Sequence, residues 1–338
     1  MNRNSQTSKL RDSEMIQPTF IQNEVLEAEK RIRKHIRETP LEFSPFLSKQ
    51  VNCGVYLKCE NIQVTGSFKF RGAVNYFLSL TEPEKQKGLV TSSTGNHGAA
   101  FAYLLNKFGG SGTIYVPETA APSKVEALRS LGIKIVFHGD DCVETELYAR
   151  QEAEKRGQFY IAPYNHLKII GGQGTVAVEL LKQIDKMDAV FVPVGGGGLI
   201  SGVAGYLKSQ NRDIRIIGCQ PENSHVMKAS VEAGRIVEMA SKPTLSDGTA
   251  GGIEPGSITV DICREYVDDF VLLTEKEIED AILLVLQKHY MLIEGAAALS
   301  VAALLKMKKA HQNKTVVLIL SGKKIGIEAI QHIVCKGD

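Results

Sequence analysis

The sequence predicts an α/β protein built from two open, twisted parallel sheets with helices on both faces. A short apolar run, a Gly, Ser or Asn, and a segment of helical period recur along the 338 residues, as they do in successive βα units. Several apolar runs, among them 189–194 and 315–320, contain almost no polar residue. A strand has that composition when helices bury both of its faces.

Each predicted strand is a run rich in Val, Ile, Leu and Phe, the residues that favour an extended, buried backbone. The predicted strands are 55–58, 89–92, 112–116, 134–137, 189–194, 214–219, 269–273 and 315–320. The segments with apolar residues at three- and four-residue spacing predict the helices between them. The predicted helices are 21–36, 70–79, 96–108, 122–131, 143–155, 174–183, 198–209, 275–287 and 296–307.

The block that starts near residue 88 holds three strand–helix pairs of its own, enough for a small sheet inserted into a larger one. We therefore expect a small domain over 88–157 and a large domain over 21–80 and 165–338. Residues 1–20 are polar and are expected to form a flexible tail outside the fold. The cleft between the two domains is the predicted ligand site.

Composition and charge exclude several classes of protein. Hydrophobic residues make up 43% and charged residues 23% of the chain, as in ordinary folded domains. The net charge of +2 favours neither nucleic acid nor a membrane surface as a partner. The six cysteines lack the spacing of zinc or redox motifs. We expect reduced thiols, a cytoplasmic protein and a small-molecule ligand.

The strongest chemical signal is the segment VPVGGGG, residues 192–198, where an apolar strand enters four glycines and then a helix. Gly195, Gly196, Gly197 and Gly198 let backbone N–H groups approach an anion, and the helix N-terminus adds partial positive charge. The spacing matches neither the dinucleotide-binding motif nor the P-loop. The pattern predicts a phosphate site, and the alternative is a tight turn that packs the helix on the strand.

A second signal is Lys69, at the predicted start of a helix and beside Phe68 in the segment SFKFRGA, residues 67–73. Burial and a helix N-terminus both disfavour a protonated amine. Lys69 is therefore a candidate nucleophile or imine-forming lysine, whereas a solvated surface lysine is the alternative.

Polar groups follow two further predicted strands. The segment STGNHG, residues 93–98, contains Asn96, which can donate a hydrogen bond, and Ser93, which can bind a carboxylate; plain helix capping is the alternative. Ser321 follows the last strand, where α/β sheets place ligand-binding residues. A phosphate cradle, a reactive lysine, and amide and hydroxyl groups at strand ends together suit pyridoxal phosphate.

The chain resembles the fold-type II pyridoxal-phosphate enzymes, whose fold is that of the tryptophan synthase β chain. Within that class it is similar to the family of serine/threonine dehydratases and serine racemases, over nearly all of residues 20–335. Seven motifs carry the resemblance, in the family's order: SFKFRGA (67–73), STGNHG (93–98), GGQGT (171–175), VPVGGGG (192–198), SDGTAGGIE (246–254), IEGAA (293–297) and LSG (320–322).

The resemblance implies a role for each candidate residue. Lys69 would form the imine bond to pyridoxal phosphate, and the four glycines would hold its phosphate. Asn96 would bond the phenolic oxygen of the ring, and Ser321 would face the pyridine nitrogen. The other implied residues line the ring pocket (Phe68, Gly248, Glu294) or lie where the substrate binds (Ser93, Thr94, His97).

The implied reaction is the conversion of L-threonine to 2-oxobutyrate and ammonia, and of L-serine to pyruvate and ammonia, by a homodimer. Thr94 stands where the racemases have a serine, so racemisation by Lys69 and Thr94 is an alternative. Dehydration of another β-hydroxy amino acid and non-catalytic ligand binding are further alternatives. Gln220 stands where the racemases begin a cation site with a glutamate, so no metal is expected.

Overall fold

A computed structural model describes residues 17–335 of the chain. Its strands are β1 (Leu41–Phe43), β2 (Gly54–Lys58), β3 (Leu89–Ser92), β4 (Gly112–Val116), β5 (Lys134–Phe137), β6 (Phe159–Tyr160), β7 (Ala189–Pro193), β8 (Arg215–Pro221), β9 (Asp269–Leu273) and β10 (Thr315–Ile319). Its α-helices are α1 (Pro18–Ile32), α2 (Pro45–Val51), α3 (Lys69–Ser79), α4 (Glu82–Gln86), α5 (Asn96–Phe108), α6 (Pro122–Arg129), α7 (Cys142–Lys155), α8 (Leu167–Gln183), α9 (Gly198–Gln210), α10 (Val226–Ala233), α11 (Ile258–Tyr266), α12 (Glu275–His289), α13 (Gly295–Lys306) and α14 (Ile327–Cys335).

The larger sheet has six strands in the order β1-β2-β10-β7-β8-β9. Strand β1 pairs antiparallel with β2, and the other neighbours are parallel. Every residue of the central strand β7 is buried, because helices cover both faces of the sheet. One hydrophobic core holds Val190 and Val192, and the core on the opposite face holds Ala189 and Phe191.

The smaller sheet has four parallel strands in the order β5-β4-β3-β6. Its last strand, Phe159–Tyr160, pairs with β3 and lies just beyond 157, the predicted end of the small domain. Parallel strands of one sheet end at the same edge, so the residues that follow β3 face the cavity described below.

Helix α3 joins the two sheets. Its apolar residues Phe70, Val74 and Phe77 lie in the same hydrophobic core as Leu89 of the smaller sheet. Its other face packs on α8, where a Cβ added to Gly172 would lie only 2.6 Å from the Arg71 carbonyl oxygen. The helix that begins with Lys69 is therefore held from both sides.

The structure confirms the predicted α/β fold, and all eight predicted strands are present with ends shifted by no more than two residues. Strands β1 and β6 were not predicted, because runs of three and two residues are too short to show a period. The helices absent from the prediction are also short: α2, α4, α10, α11 and α14.

Two predicted helix starts are wrong. Helix α1 begins at Pro18, inside the predicted tail, because proline is well suited to the first turn of a helix; residues 1–16 lie outside the described part of the chain. Helix α8 begins at Leu167 rather than at 174. The glycines of α8 are unfavourable for a helix, but close packing requires one of them. A Cβ on Gly174 would lie only 2.3 Å from the Val25 side chain of α1. Within residues 17–335, no helix combines the length and the apolar character needed to cross a bilayer.

Candidate active site

A cavity of about 560 Å³ lies between the two sheets, at the carboxyl ends of β3, β7 and β10. It is lined from the smaller sheet by the loop after β3 and by helix α7, and from the larger sheet by the loops after β7 and β10. All the residues that the sequence singled out for cofactor or substrate line this one cavity: Phe68, Lys69, Ser93, Thr94, Asn96, His97, Gly195, Gly196, Gly197, Gly198, Gly248, Glu294 and Ser321.

Lys69 is the first residue of α3, as predicted. Its Nζ donates a hydrogen bond to the Pro163 carbonyl oxygen over 2.9 Å. Burial lowers the pKa of the Lys69 amine to about 8, against the opposing charges of Glu146 and Glu294. A substantial fraction of this amine is therefore neutral near neutral pH, as a nucleophile or base must be.

The Lys69 segment is tied to the end of the last strand. The backbone N–H of Phe68 donates to the Ser321 carbonyl oxygen over 3.1 Å, and Ser67 forms an isolated β-bridge with Gly322. These contacts fix the position of the Lys69 amine relative to the Ser321 side chain, although the two residues are far apart in the sequence.

The glycine loop has no room for side chains. A Cβ on Gly196 would lie 2.5 Å from the Tyr164 ring, and Gly197 has a φ of +86°, a left-handed conformation that glycine adopts without strain. Helix α9 begins at Gly198. The first N–H groups of a helix lack partners within it, so the loop presents donors and a positive dipole end for an anion.

Asn96 and Glu294 form a close pair in the cavity. The Asn96 amide donates to both Glu294 carboxylate oxygens, over 3.0 and 2.8 Å, and the Lys324 backbone N–H donates to Glu294 Oε2 over 3.1 Å. Burial raises the pKa of Glu294 to about 7, although these hydrogen bonds oppose the shift. The structure therefore gives Asn96 a carboxylate partner that the sequence had not indicated.

Several buried polar atoms of cavity residues have no hydrogen-bond partner among the described residues. They include Ser321 Oγ, Asn96 Oδ1, His97 Nδ1 and Glu146 Oε1. A buried polar atom without a partner costs free energy unless a ligand or water satisfies it. Ser321 is therefore placed to serve a ligand group rather than to stabilise the fold.

His97 has a defined role in the structure. Its Nε2 lies 3.1 Å from the Ile161 carbonyl oxygen, so Nε2 carries the proton and Nδ1 carries a lone pair. Burial lowers the pKa of His97 to about 3, and the nearby charge of Lys69 lowers it further. The ring is neutral and has no N–H left for a substrate carboxylate. The Ser93 hydroxyl meanwhile accepts the Gly95 N–H over 3.2 Å.

Several residues that line the cavity were not among the site candidates of the sequence analysis, among them Glu146, Tyr164 and Lys324. Glu146 belongs to a helix rich in charged residues, where nothing in the spacing sets it apart from a solvated face. Lys324 follows the LSG motif by two residues, where no local pattern marks it as a site residue, and burial lowers the pKa of its amine. Gln220, in contrast, is not among the residues that line the cavity, and its Oε1 accepts the Lys228 N–H over 2.9 Å.

These features fit pyridoxal phosphate. A neutral amine can react with its aldehyde, the glycine loop can hold its phosphate, and the unpartnered Ser321 hydroxyl can meet a ring nitrogen. Within residues 17–335 no group of three or more His, Cys, Asp or Glu side chains is placed to hold a metal ion.

Comparisons with known proteins agree with this chemistry. Residues 32–322 match the family described as pyridoxal-phosphate dependent enzyme. The chain is 39% identical over 314 residues to the L-threonine ammonia-lyase of Thermotoga maritima, covering 93% of this chain and 78% of that one. It is 39% identical to the catabolic L-threonine dehydratase of Escherichia coli, covering 92% and 95%. The structure of maize serine racemase superposes with a TM-score of 0.86 at 32% identity, covering 94% and 97%.

The chain therefore belongs to the pyridoxal-phosphate dependent enzyme family. The predicted family, fold-type II architecture and cofactor are confirmed. The names of the two sequence relatives also agree with the predicted reaction, a lyase that releases ammonia.

Proposed function

We propose that this protein is an ammonia-lyase that converts L-threonine to 2-oxobutyrate and ammonia, and L-serine to pyruvate and ammonia. The observation that carries the proposal is the Lys69 amine, whose pKa burial lowers to about 8, in one cavity with the glycine loop. The two relatives named for L-threonine support this substrate, because each matches more than nine-tenths of this chain.

When bound, pyridoxal phosphate supplies a ring that accepts the electron pair left at the substrate's Cα. Lys69 would hold the cofactor, and its free Nζ would take the Cα proton of the bound substrate. The N-terminus of α9 and the four glycines would hold the phosphate, Asn96 would bond the phenolic oxygen, and Ser321 would meet the ring nitrogen. A hydroxyl at that nitrogen, unlike a carboxylate, does not hold a proton on it, which favours elimination over transamination.

The remaining cavity residues complete the site. Phe68, Gly248 and Glu294 form walls of the ring pocket. Ser93 and Thr94 supply hydroxyl groups beside the substrate carboxylate, and the neutral His97 ring supports the loop through its bond to the Ile161 carbonyl.

Racemisation is the second candidate function. The Thr94 hydroxyl lines the same cavity as Lys69, and a residue there that protonates the opposite face of Cα would invert the amino acid. The branched Cβ of threonine restricts where that hydroxyl points. The two functions differ in product, because a racemase returns an amino acid and a lyase releases a keto acid.

The two sheets support two domains close to the predicted bounds. The smaller domain spans 88–157 together with Phe159–Tyr160, and the larger spans 21–80 and 165–338.

The six free cysteines, four of them buried, support a cytoplasmic location. We infer a homodimer from the family resemblance; light scattering on the purified holoenzyme tests that assignment.

The test is keto-acid release by the cofactor-loaded protein offered L-threonine, L-serine and D-serine separately, with Lys69→Ala as the control. We expect 2-oxobutyrate from L-threonine and pyruvate from L-serine, and neither from the variant. A loaded protein that releases no keto acid from either L-amino acid contradicts the proposal. Formation of D-serine from L-serine without keto acid would favour the racemase.

A further inference from the structure

Glu146 is a cavity carboxyl to which neither the motifs nor the proposed reaction assigns a role. It lies on α7, on the side of the smaller sheet, and lines the same cavity as Lys69. Its side chain is 12% exposed. Among the charges that act on the Lys69 amine, that of Glu146 is the largest, ahead of Glu294. The Glu146 carboxyl and the Lys69 amine therefore line the same cavity, and each affects the pKa of the other.

The charge of Glu146 is poorly compensated by its neighbours. Arg150, one turn along α7, lies 2.6 Å from Glu254 Oε2 but 4.0 Å from Glu146 Oε1. Glu146 Oε1 is buried and has no hydrogen-bond partner among the described residues. The Tyr160 hydroxyl lies near the Glu146 carboxyl and favours its charged form. Arg150 is thus engaged by Glu254, and one oxygen of Glu146 remains available to a ligand.

These surroundings favour the protonated form of the carboxyl. Burial raises the pKa of Glu146 to about 7, the charge of Glu254 adds to the shift, and Arg150, Tyr160 and Lys69 oppose it. The titratable or charged groups that interact with Glu146 are Lys69, Cys142, Arg150, Tyr160, Tyr164 and Glu254. An acid and a base that both titrate near neutral pH can exchange protons efficiently.

We propose that Glu146 is the catalytic acid of this site: its carboxyl gives a proton to the substrate's β-hydroxyl as the Cβ–O bond breaks. This inference rests on the proposed function. Hydroxide is a poor leaving group, and a positioned acid allows the oxygen to depart as water.

The protons and electrons balance without another reactant. Lys69 Nζ takes the Cα proton, and the electron pair of that bond forms the new Cα–Cβ double bond. The pair of the Cβ–O bond leaves with the oxygen, which takes the Glu146 proton and becomes water. The Lys69 ammonium then returns its proton to the Glu146 carboxylate, so both residues regain their starting state.

The decisive test compares two leaving groups that give the same product. L-Serine and β-chloro-L-alanine both yield pyruvate, but chloride departs without a proton. We expect Glu146→Gln to lower kcat for L-serine roughly 10²- to 10⁴-fold and to leave kcat for β-chloro-L-alanine unchanged. Glu154→Gln, an exposed change on the same helix, is the matched control and should alter neither rate.

Each other outcome has a distinct meaning. Equal losses on both substrates would overturn the proposal and make Glu146 a positioning residue. No loss on either would also overturn it and would point to another acid, such as the phosphate of the bound cofactor. If the unmodified enzyme releases no keto acid from L-serine or L-threonine, the proposed function itself fails, and this shows without any variant.

Two further measurements guard against a variant that merely folds poorly. The visible absorbance of bound cofactor and the thermal unfolding curve of Glu146→Gln should match those of Glu154→Gln.

In the unmodified enzyme, the ratio of kcat for L-serine to kcat for β-chloro-L-alanine should fall as the pH rises through the ionisation of Glu146. A ratio that does not change with pH contradicts the proposal.

Discussion

The side-chain amide of Asn96 donates to both carboxylate oxygens of Glu294, over 3.0 and 2.8 Å, and joins residues that are 198 positions apart in the sequence. The pair connects the first residue of α5 to the segment that precedes α13. A candidate ring-binding amide is thus held by a buried carboxyl from the other sheet. The ionisation of that carboxyl should be measurable as a dependence of stability on pH.

Burial raises the pKa of Glu294 to about 7, from an ordinary value of 4.5. Between those values the folded protein keeps a proton that the unfolded chain has released, so rising pH reduces the free energy of unfolding. In the cofactor-free protein, we expect the unmodified chain to lose on the order of 2 to 3 kcal/mol relative to Glu294→Gln between pH 4.5 and 7. Urea denaturation at several pH values checks this, and parallel curves for the two proteins would contradict it.

His97 should stay neutral across the working range of the enzyme. Burial lowers the pKa of its ring to about 3, and Nε2 is bonded to the Ile161 carbonyl oxygen. NMR of ¹⁵N-histidine-labelled protein should show a ring that carries its proton on Nε2 and does not titrate between pH 5 and 8. The signals of this ring should be absent from the spectrum of a His97→Asn variant. A ring that titrates near the usual histidine pKa of about 6.5 would refute the assignment.

The glycine loop should tolerate no side chain at Gly197. Its φ is +86°, and a Cβ there would lie 2.7 Å from Met227 Cε and 2.9 Å from Thr259 Cβ. Gly197→Ala should therefore weaken cofactor binding and destabilise the protein by more than the roughly 1 to 2 kcal/mol of left-handed strain alone. Gly157→Ala isolates that strain, because its φ is +63° and nothing lies within 4 Å of its Cβ. Equal effects of the two changes on cofactor affinity, measured by titration, would contradict the prediction.

Arg71, two residues after Lys69, should be essential for stability. It is fully buried, with Nη1 2.7 Å from Glu179 Oε1 and Nη2 2.7 Å from Glu60 Oε1. Arg71→Met leaves both carboxylates buried without this partner and should cost about 3 to 5 kcal/mol of unfolding free energy. Urea denaturation measures the loss, with the exposed Arg156→Met as a control of small effect. A variant as stable as the unmodified chain would show that the network does not anchor α3.

The sequence was sufficient for those parts of the site whose residues carry a local signal. The apolar strand before Gly195 and the apolar neighbours of Lys69 reveal a glycine turn and a buried helix start, and the structure has both. The shared strand edges then predict that these segments meet. The local pattern also predicts the long helices and the buried strands. Their hydrophobic pattern extends over several helical turns or over a whole run of strand residues.

The remaining features depend on contacts between distant segments. Glu146 looks like any surface residue of α7 until the fold turns that side of the helix to the cavity. The tautomer of His97 is set by a carbonyl 64 positions away. Strand β6 is two residues long and exists only because β3 offers it a partner. Tertiary contact, not propensity, decides each of these features.

Mass mapping after borohydride reduction shows which residue holds the cofactor, and we expect that residue to be Lys69. Reduction makes the bond between a lysine amine and pyridoxal phosphate permanent. We predict that the peptide carrying Lys69 gains the mass of one phosphopyridoxyl group and that Lys69→Ala gains none. A label on Lys324 or Lys124, the other lysines that line the cavity, or no label on loaded protein, would contradict the account.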